Sequence, residues 1–270
     1  MLIAITRPVS ASIERCELGY LPRRSIDFQK ASEQHTLYEA CLAELGLSVI
    51  RLPPEPELPD AVFVEDTAVV VRELAVMTHP GAASRRPEVE GVALVLSRYL
   101  PLRWIQNPAT LDGGDVMHAG RTLFVGASLR TNAEGIRQLA QELAPFDYTI
   151  KSVEIRDCLH MKSACCYLGR QTILANRAWI DTVPFREFQI VDVAPDEPWA
   201  ANVLVIGETV VIPSSFPATA RVLAKLGWNV RTVDVSELMK AEAGVTCMSL
   251  IFDPASANPC RRRSVGTLNP

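Results

Sequence analysis

The sequence predicts an α/β fold, a five-bladed α/β propeller built from five strand-strand-helix-strand units. Three observations lead to this prediction. One order of apolar segments recurs along the chain, turn residues separate the first two strands of a unit, and the fifth unit is complete only when both chain ends are joined. Hairpins make neighbouring strands antiparallel, which disfavours the ordinary alternative, an open doubly wound parallel sheet. Ring closure also hides strand edges.

The first uninterrupted unit begins at residue 62. Residues 62–71 and 74–78 are apolar and rich in β-branched residues, as is typical of strands. In the next stretch, SRRPEVEGVALVLSRYL, apolar residues recur at helical spacing, and we expect Ser84 to be the N-cap. Residues 102–105 follow as the third strand.

The same order recurs at 115–155, 162–193 and 203–233. The first of these units opens its helix on a capping-box pattern at Thr131, and the last ends its helix at Gly227. The middle one has three predicted strands but no clear helical periodicity.

The remaining unit is divided between the chain ends. Residues 2–52 contain a strand, a helix and a second strand, and residues 247–252 supply the missing strand. We therefore predict a single catalytic domain over residues 1–252. Residues 253–270 are rich in Pro, Ser and Arg without periodicity, and we expect them to form a mobile C-terminal tail.

The composition excludes several classes of function. Of the 270 residues, 48% are hydrophobic and 21% charged, as in soluble globular proteins, and the net charge of −4 offers no binding surface for nucleic acid. No apolar run approaches the ~20 residues that span a membrane, and the start lacks a signal-peptide pattern. Seven cysteines without CxxC spacing indicate a reducing cytoplasm and argue against disulfides or structural zinc.

Polar residues occupy equivalent places beside the first strands of the predicted units. If those strands line the central axis, a set of eight side chains converges there: Asp60, Glu65, Asp66, Asp112, Asp115, His160, Asn202 and Cys247. A thiol, an imidazole and several carboxylates could supply a nucleophile, a proton shuttle and a cation-binding pocket. A free cysteine is more often a packed apolar residue, so Cys247 stands out only through its flanking motif and its place in the repeat.

Seven ordered motifs carry a family resemblance: DAVFVED, GAASRR, LDGGD, GASLRTN, LHMKS, AANVLV and EAGVTCMSL. Their order and spacing resemble those of the dimethylarginine dimethylaminohydrolases across essentially residues 1–252. The resemblance implies the five-bladed pentein fold, in agreement with the repeat count. It also implies hydrolysis of asymmetric dimethylarginine and monomethylarginine to citrulline and dimethylamine or methylamine, with no metal and no organic cofactor.

The resemblance implies a role for each matching residue. Cys247 would attack the guanidinium carbon and form a covalent S-alkylthiouronium. His160 would protonate the leaving amine and then activate water, while Asp112 orients it. The substrate-binding residues follow from the same match: Asp66 and Glu65 for the guanidinium, Asp60 and the carbonyl of Leu18 for the α-amino group, and Arg85 and Arg130 for the α-carboxylate.

One position departs from the family pattern. The family has an aspartate five residues before the nucleophile, where it helps to bind the guanidinium, and this chain has Glu242. The extra methylene moves the carboxylate outward by ~1 Å, a displacement that can change a rate up to ~10²-fold. The guanidine preference therefore stays open between dimethylated, monomethylated and other N-substituted arginines.

Two physical expectations accompany the resemblance. Carboxylates near Cys247 should raise the pKa of the thiol, and a bound guanidinium should favour the thiolate, which makes activation substrate-assisted. The loop at residues 18–24 is the candidate lid. The expected partner is a small cationic amino acid, without nucleic acid or membrane, and a homodimer is compatible with the sequence.

Two rival functions stay open. A deiminase of arginine or agmatine would use the same catalytic set, although agmatine lacks the carboxylate that Arg85 and Arg130 would bind. Arginine deiminases also contain an inserted helical module for which this chain has no room. A non-catalytic binding propeller, as in the ribosome-associated relatives of the fold, would not need Cys247, His160 and Asp112 together.

Overall fold

Residues 1–254, which this computed structural model describes, contain five separate three-stranded sheets. In each sheet the middle strand pairs antiparallel with one neighbour and parallel with the other. The five-bladed α/β propeller is confirmed. Four units have the predicted strand-strand-helix-strand order, and in the fourth unit along the chain the 3₁₀ turn Val183–Phe185 replaces the helix. The predicted tail lies outside the described residues from residue 255 onward.

The first unit joins the two chain ends. It contains β1 (Ile3–Thr6), helix α1 (Phe28–Glu44), β2 (Ser48–Arg51) and the last strand of the chain, Leu250–Phe252. Ile5 of β1 pairs with Leu250 on one side and with Ile50 on the other. The strand from the C-terminal end therefore completes a sheet that begins at the N-terminal end, as predicted.

The other units follow in chain order. The second has β3 (Ala68–Val70), β4 (Ala75–Met77), α2 (Glu88–Leu96) and β5 (Leu102–Trp104), and the third has β6 (Val116–Ala119), β7 (Thr122–Ala127), α3 (Ala133–Leu143) and β8 (Thr149–Glu154). The fourth has α4 (Met161–Ala164), β9 (Cys165–Gly169), β10 (Thr172–Ala175) and β11 (Gln189–Asp192). The fifth has β12 (Leu204–Ile206), β13 (Thr209–Pro213), α5 (Pro217–Lys225) and β14 (Asn229–Val233), before α6 (Ser236–Met239) and β15, the strand Leu250–Phe252 named above.

Five clusters of buried apolar side chains fill the seams between neighbouring units. In one cluster Leu96 of α2 packs with Ile5 of the preceding unit. In another, Tyr38 and Leu42 of α1 pack with Val211 of β13, so that the seam between the fifth and first units is filled as well. Burial of apolar surface at every seam therefore holds the separate sheets in a ring.

Four local predictions were wrong. The helix Ala133–Leu143 has Asn132 as its N-cap, one residue after the Thr131 of the predicted capping box, and the Asn132 side chain accepts the Gly135 N–H. Helix α2 begins at Glu88 behind Pro87, whose fixed φ suits a helix start, and Ser84 lies in the preceding 3₁₀ turn. The segment Val64–Thr67 is a 3₁₀ turn instead of a strand, because Thr67 donates its hydroxyl hydrogen bond to the carbonyl of Val64. Cys247 lies in a turn before β15 instead of in that strand.

Two further findings concern the chain as far as residue 254. Its six cysteines in this region are all free thiols: Cys16, Cys41, Cys158, Cys165, Cys166 and Cys247. No helix within these residues is long and apolar enough to cross a membrane.

Candidate active site

Three hydrogen bonds hold the turn that contains Cys247. The Gly244 N–H donates to Cys247 Sγ at 3.3 Å, and the Glu65 N–H donates to the Cys247 carbonyl at 3.1 Å. Tyr38, which is fully buried, donates its hydroxyl to the Val245 carbonyl at 2.8 Å. Burial, and then the charges of Glu65 and Asp66, raise the pKa of the Cys247 thiol far above its usual range. At neutral pH the sulfur therefore rests as a thiol, as expected from the sequence.

The imidazole of His160 lies between two carboxylates. Its Nε2 is 3.0 Å from Asp112 Oδ2 and 3.8 Å from Asp66 Oδ1. Burial disfavours the charged imidazolium, but the Asp66 charge and the Asp112 hydrogen bond outweigh it and raise the pKa of His160 to about 9. His160 is therefore a protonated group at neutral pH, ready to donate a proton.

The start of α4 fixes the position of His160. His160 is the residue before α4, and Asp115 accepts a hydrogen bond from the next N–H, that of Met161, at 2.9 Å. Ser128 donates its hydroxyl to the other oxygen of Asp115 at 2.6 Å. Asp115 was among the residues predicted to converge. In the structure it lies at the start of α4, where it binds the N–H of the residue after His160.

Asp66 is an ionised carboxylate with two fixed donors. Arg85 Nη1 donates to Oδ2 at 2.6 Å, and the Gly114 N–H donates to Oδ1 at 2.8 Å. Burial works against the charge, but His160 and Arg85 lower the pKa of Asp66 well below its usual range. A Cβ on Gly114 would lie 2.7 Å from Asp66 Oδ1 and 2.8 Å from His160 Nδ1, so this position requires glycine.

Most of the Arg85 N–H donors form hydrogen bonds within the protein. Besides Asp66, its guanidinium contacts Glu88 at 2.8 Å and donates to the carbonyl of Phe63 at 3.1 Å. Only 3% of the residue is exposed. In this structure Arg85 therefore holds Asp66 in place, and its predicted contact with a substrate carboxylate stays a prediction.

Arg130 is the more available of the two predicted carboxylate ligands. Its buried Nη1 has no hydrogen-bond partner and lies 3.6 Å from Asp112 Oδ2. Asp112 balances the charge at this distance but accepts no hydrogen bond from Nη1, so this nitrogen still needs a hydrogen-bond acceptor. This arrangement suits the recognition of a carboxylate.

The other predicted binding residues contact the protein rather than open space. Glu65 accepts from Lys162 Nζ and from the Thr246 hydroxyl, each at 2.6 Å. Thr246 is also joined to Asn202, whose amide accepts its N–H at 3.0 Å. Glu65 thus fixes the position of Thr246, the residue before Cys247. Lys162 and Thr246 were not singled out from the sequence, although both lie inside the quoted motifs.

Two carboxylates accept hydrogen bonds from the backbone of the loop at residues 17–21. Asp60 accepts the Glu17 N–H, at 3.1 Å to its nearer oxygen, next to the Leu18 carbonyl predicted to bind the α-amino group. Glu242 accepts the N–H groups of Gly19, Tyr20 and Leu21. The structure therefore places Glu242 against the candidate lid loop.

Three of the site residues also have the spacing of metal ligands. Ligand atoms of Asp66, Asp112 and His160 lie within 4.8 Å of one another. However, the two carboxylates already face Arg85, Arg130 and the His160 imidazolium. A divalent cation would be repelled by these charges, so the donor set fits proton transfer better than metal binding.

Comparisons with known proteins identify the family of the chain. A family model described as arginine deiminase matches residues 30–177. The N(G),N(G)-dimethylarginine dimethylaminohydrolase of Pseudomonas aeruginosa is 37% identical over 228 residues, which cover 84% of this chain and 90% of that protein.

Two solved structures share the fold with a TM-score of 0.88 and 34% identity. One is a cysteine-to-serine variant of the Pseudomonas aeruginosa dimethylarginine dimethylaminohydrolase complexed with citrulline; the match covers 92% of this chain and 98% of that one. The other is a histidine-to-glycine variant adduct with S-methyl-L-thiocitrulline, matched over 93% of this chain and 100% of that one. The chain therefore belongs to the dimethylarginine dimethylaminohydrolase family of the pentein superfamily, as its ordered motifs predicted.

Proposed function

We propose that the chain hydrolyses Nω-methylated arginines to citrulline and dimethylamine or methylamine, through a covalent adduct on Cys247. The observation that carries the proposal is the protonated His160 between Asp112 and Asp66, together with the charge of the same Asp66 acting on the Cys247 thiol. The family names and the complexes of the related structures with citrulline and S-methyl-L-thiocitrulline support the same reaction.

The first half of the reaction forms the adduct. A substrate guanidinium beside Asp66 brings a positive charge to the sulfur, which stabilises the thiolate, and the thiol proton leaves to solvent. The thiolate attacks the guanidinium carbon and forms a C–S bond. The C–N bond to the methylated nitrogen then breaks, and this nitrogen takes the proton of the His160 imidazolium and leaves as dimethylamine or methylamine.

The second half releases citrulline. His160, now neutral, takes a proton from a water molecule that attacks the thiouronium carbon. The C–S bond then breaks, the added hydroxyl loses its remaining proton and becomes the carbonyl of citrulline, and the Cys247 thiolate that leaves takes up a proton to return to the resting thiol. Asp112 accepts the hydrogen bond of the imidazolium and stabilises it each time it forms. Arg130, whose Nη1 has no hydrogen-bond partner, binds the substrate α-carboxylate.

The proposal also covers the domain organisation, the substrate class and the cellular location of the enzyme. We propose one catalytic domain over residues 1–252, a small cationic amino acid as substrate, and a cytoplasmic location. The free state of the six cysteines in the described part of the chain supports a reducing compartment. A homodimer stays a prediction.

Product analysis tests the proposal against its rivals. We would incubate the protein with asymmetric dimethylarginine, monomethylarginine, arginine and agmatine, and measure citrulline, methylamines and ammonia. The expected result is citrulline with an equal amount of dimethylamine or methylamine, lost in Cys247→Ser and kept in the matched variant Cys41→Ser. Faster ammonia release from arginine or agmatine would favour a deiminase, and no turnover of any guanidine would overturn the enzymatic proposal.

A further inference from the structure

One carboxylate binds three consecutive backbone N–H groups from a distant part of the sequence. Glu242 accepts from Gly19 at 3.0 Å, from Tyr20 at 2.5 Å and from Leu21. The partners are 221 to 223 residues apart. Successive backbone N–H groups that converge on one point form an anion-binding concavity, and here the anion belongs to the protein itself.

The surroundings make Glu242 the main attachment of this segment. Glu242 is 9% exposed, whereas Tyr20 is 41% exposed and Gly19 also faces solvent. Hydrogen bonds to an ionised acceptor are about twice as strong as neutral ones, and more so when shielded from water. The backbone of Glu242 has φ +60°, a left-handed conformation that is strained for a glutamate. The contacts with the loop offset that strain.

The same contacts decide what Glu242 can bind. With three N–H groups on its two oxygens, the carboxylate has little capacity left for a guanidinium. The residue before the latched segment is Leu18, whose carbonyl is the proposed α-amino ligand. Leu21 at its end forms part of the wall of a small cavity of about 70 Å³ that Trp199, Phe216 and Met239 also line.

We propose that Glu242 is a positioning residue, which latches Gly19–Leu21 over the active site and thereby places the Leu18 carbonyl, and that it does not bind the guanidinium. Its effect on substrate binding rests on the proposed function, but the latch itself does not. The additional methylene, compared with an aspartate, gives the carboxylate the reach to meet all three N–H groups.

Amide hydrogen exchange tests the latch without any substrate. In Glu242→Gln the charge is lost and the amide presents an NH₂ group to the loop. The expected result is exchange at Gly19–Leu21 at least ~10-fold faster than in the parent, with Glu242→Asp in between. Iodoacetamide, which needs no guanidinium site, should also alkylate Cys247 several-fold faster in Glu242→Gln.

A matched control removes the same kind of bond elsewhere. Glu237 accepts the Asp27 N–H at 2.9 Å and lies outside the active site, so Glu237→Gln should leave exchange at Gly19–Leu21 unchanged. Thermal unfolding of all three variants confirms that each is folded. Unchanged exchange at Gly19–Leu21 in folded Glu242→Gln would overturn the latch, whether or not the protein turns over methylarginines.

Steady-state kinetics then tests the effect on binding. With asymmetric dimethylarginine, Glu242→Gln should raise KM at least ~10-fold and change kcat less than ~3-fold, and Glu242→Asp should recover part of the loss. A fall in kcat of ~10²-fold with unchanged KM would instead indicate direct action on the reacting guanidinium and would contradict the proposal.

Discussion

Asp112→Asn should lower the pKa of His160 by about 2 units, from about 9 to about 7. Asp112 is wholly buried, and its Oδ2 lies 3.0 Å from His160 Nε2. Asparagine keeps the shape and an acceptor oxygen but removes the charge that stabilises the imidazolium.

The size of the expected pKa shift follows from the distance between His160 Nε2 and Asp112 Oδ2. Two unit charges 3.0 Å apart interact by about 5.5 kcal/mol at an effective dielectric constant of about 20. That corresponds to about 4 pKa units. Arg130, 3.6 Å away, already neutralises part of the Asp112 charge, and Asp66 still faces the imidazole, so we expect about half of this shift.

The upward direction of the His160 pKa shift determines how stability and activity depend on pH. Because the pKa of His160 is raised in the folded protein, its stabilising contribution is complete below the unfolded value near 6.5. That contribution is lost as pH rises through about 9. In Asp112→Asn the loss should move to about pH 7, and the rate of amine release should decline over the same range because the proton donor is already neutral.

The assay is a pH titration of imidazole resonances by NMR in histidine-labelled protein. The chain has four histidines, and the signal absent from His160→Gln identifies the relevant one. Asp157→Asn removes an exposed charge at a left-handed position that asparagine tolerates, and it should leave the pKa unchanged. A His160 pKa in Asp112→Asn within about half a unit of the parent value would refute the reasoning.

Three further predictions concern Cys247 and the residues around it. The pH profile of Cys247 alkylation should shift to lower pH when a cationic amidine is bound at a subsaturating level; an unchanged profile would rule out substrate-assisted activation. Tyr38→Phe should lower the free energy of unfolding in urea by about 1–3 kcal/mol, because the Val245 carbonyl loses a buried donor, and a change below about 0.5 kcal/mol would contradict this. Gly114→Ala should reduce kcat/KM by ~10²-fold, since the new Cβ displaces Asp66 or His160 from its position, and near-parental activity in folded protein would be the contrary result.

The ring of units was predictable because local signals mark most of its parts. Gly120 lies at φ +66° in the hairpin between β6 and β7, and Asn132 caps α3 by accepting the Gly135 N–H. The fourth unit gave no helical signal because only a 3₁₀ turn, Val183–Phe185, precedes β11. Hydrophobic periodicity detects strands and long helices, and a single short turn carries none.

The motifs named candidate site residues, but the sequence did not indicate the partners that these residues have in the structure. The motifs identified Arg85 and Glu242, yet not that one would be paired with Asp66 and Glu88 or the other with Gly19–Leu21. Such pairs depend on the way the ring brings distant turns together. Lys162 illustrates the same limit, because its contact with Glu65 spans 97 residues.

The central claim is that Cys247 carries the reaction as a covalent intermediate. The most direct measurement is an acid quench during turnover of asymmetric dimethylarginine, followed by mass analysis of the intact protein and of the peptide that contains Cys247. We predict an added mass equal to the substrate less dimethylamine, located on Cys247 and absent from Cys247→Ser. Steady citrulline formation by Cys247→Ser, or an adduct located on a different cysteine, would contradict the account.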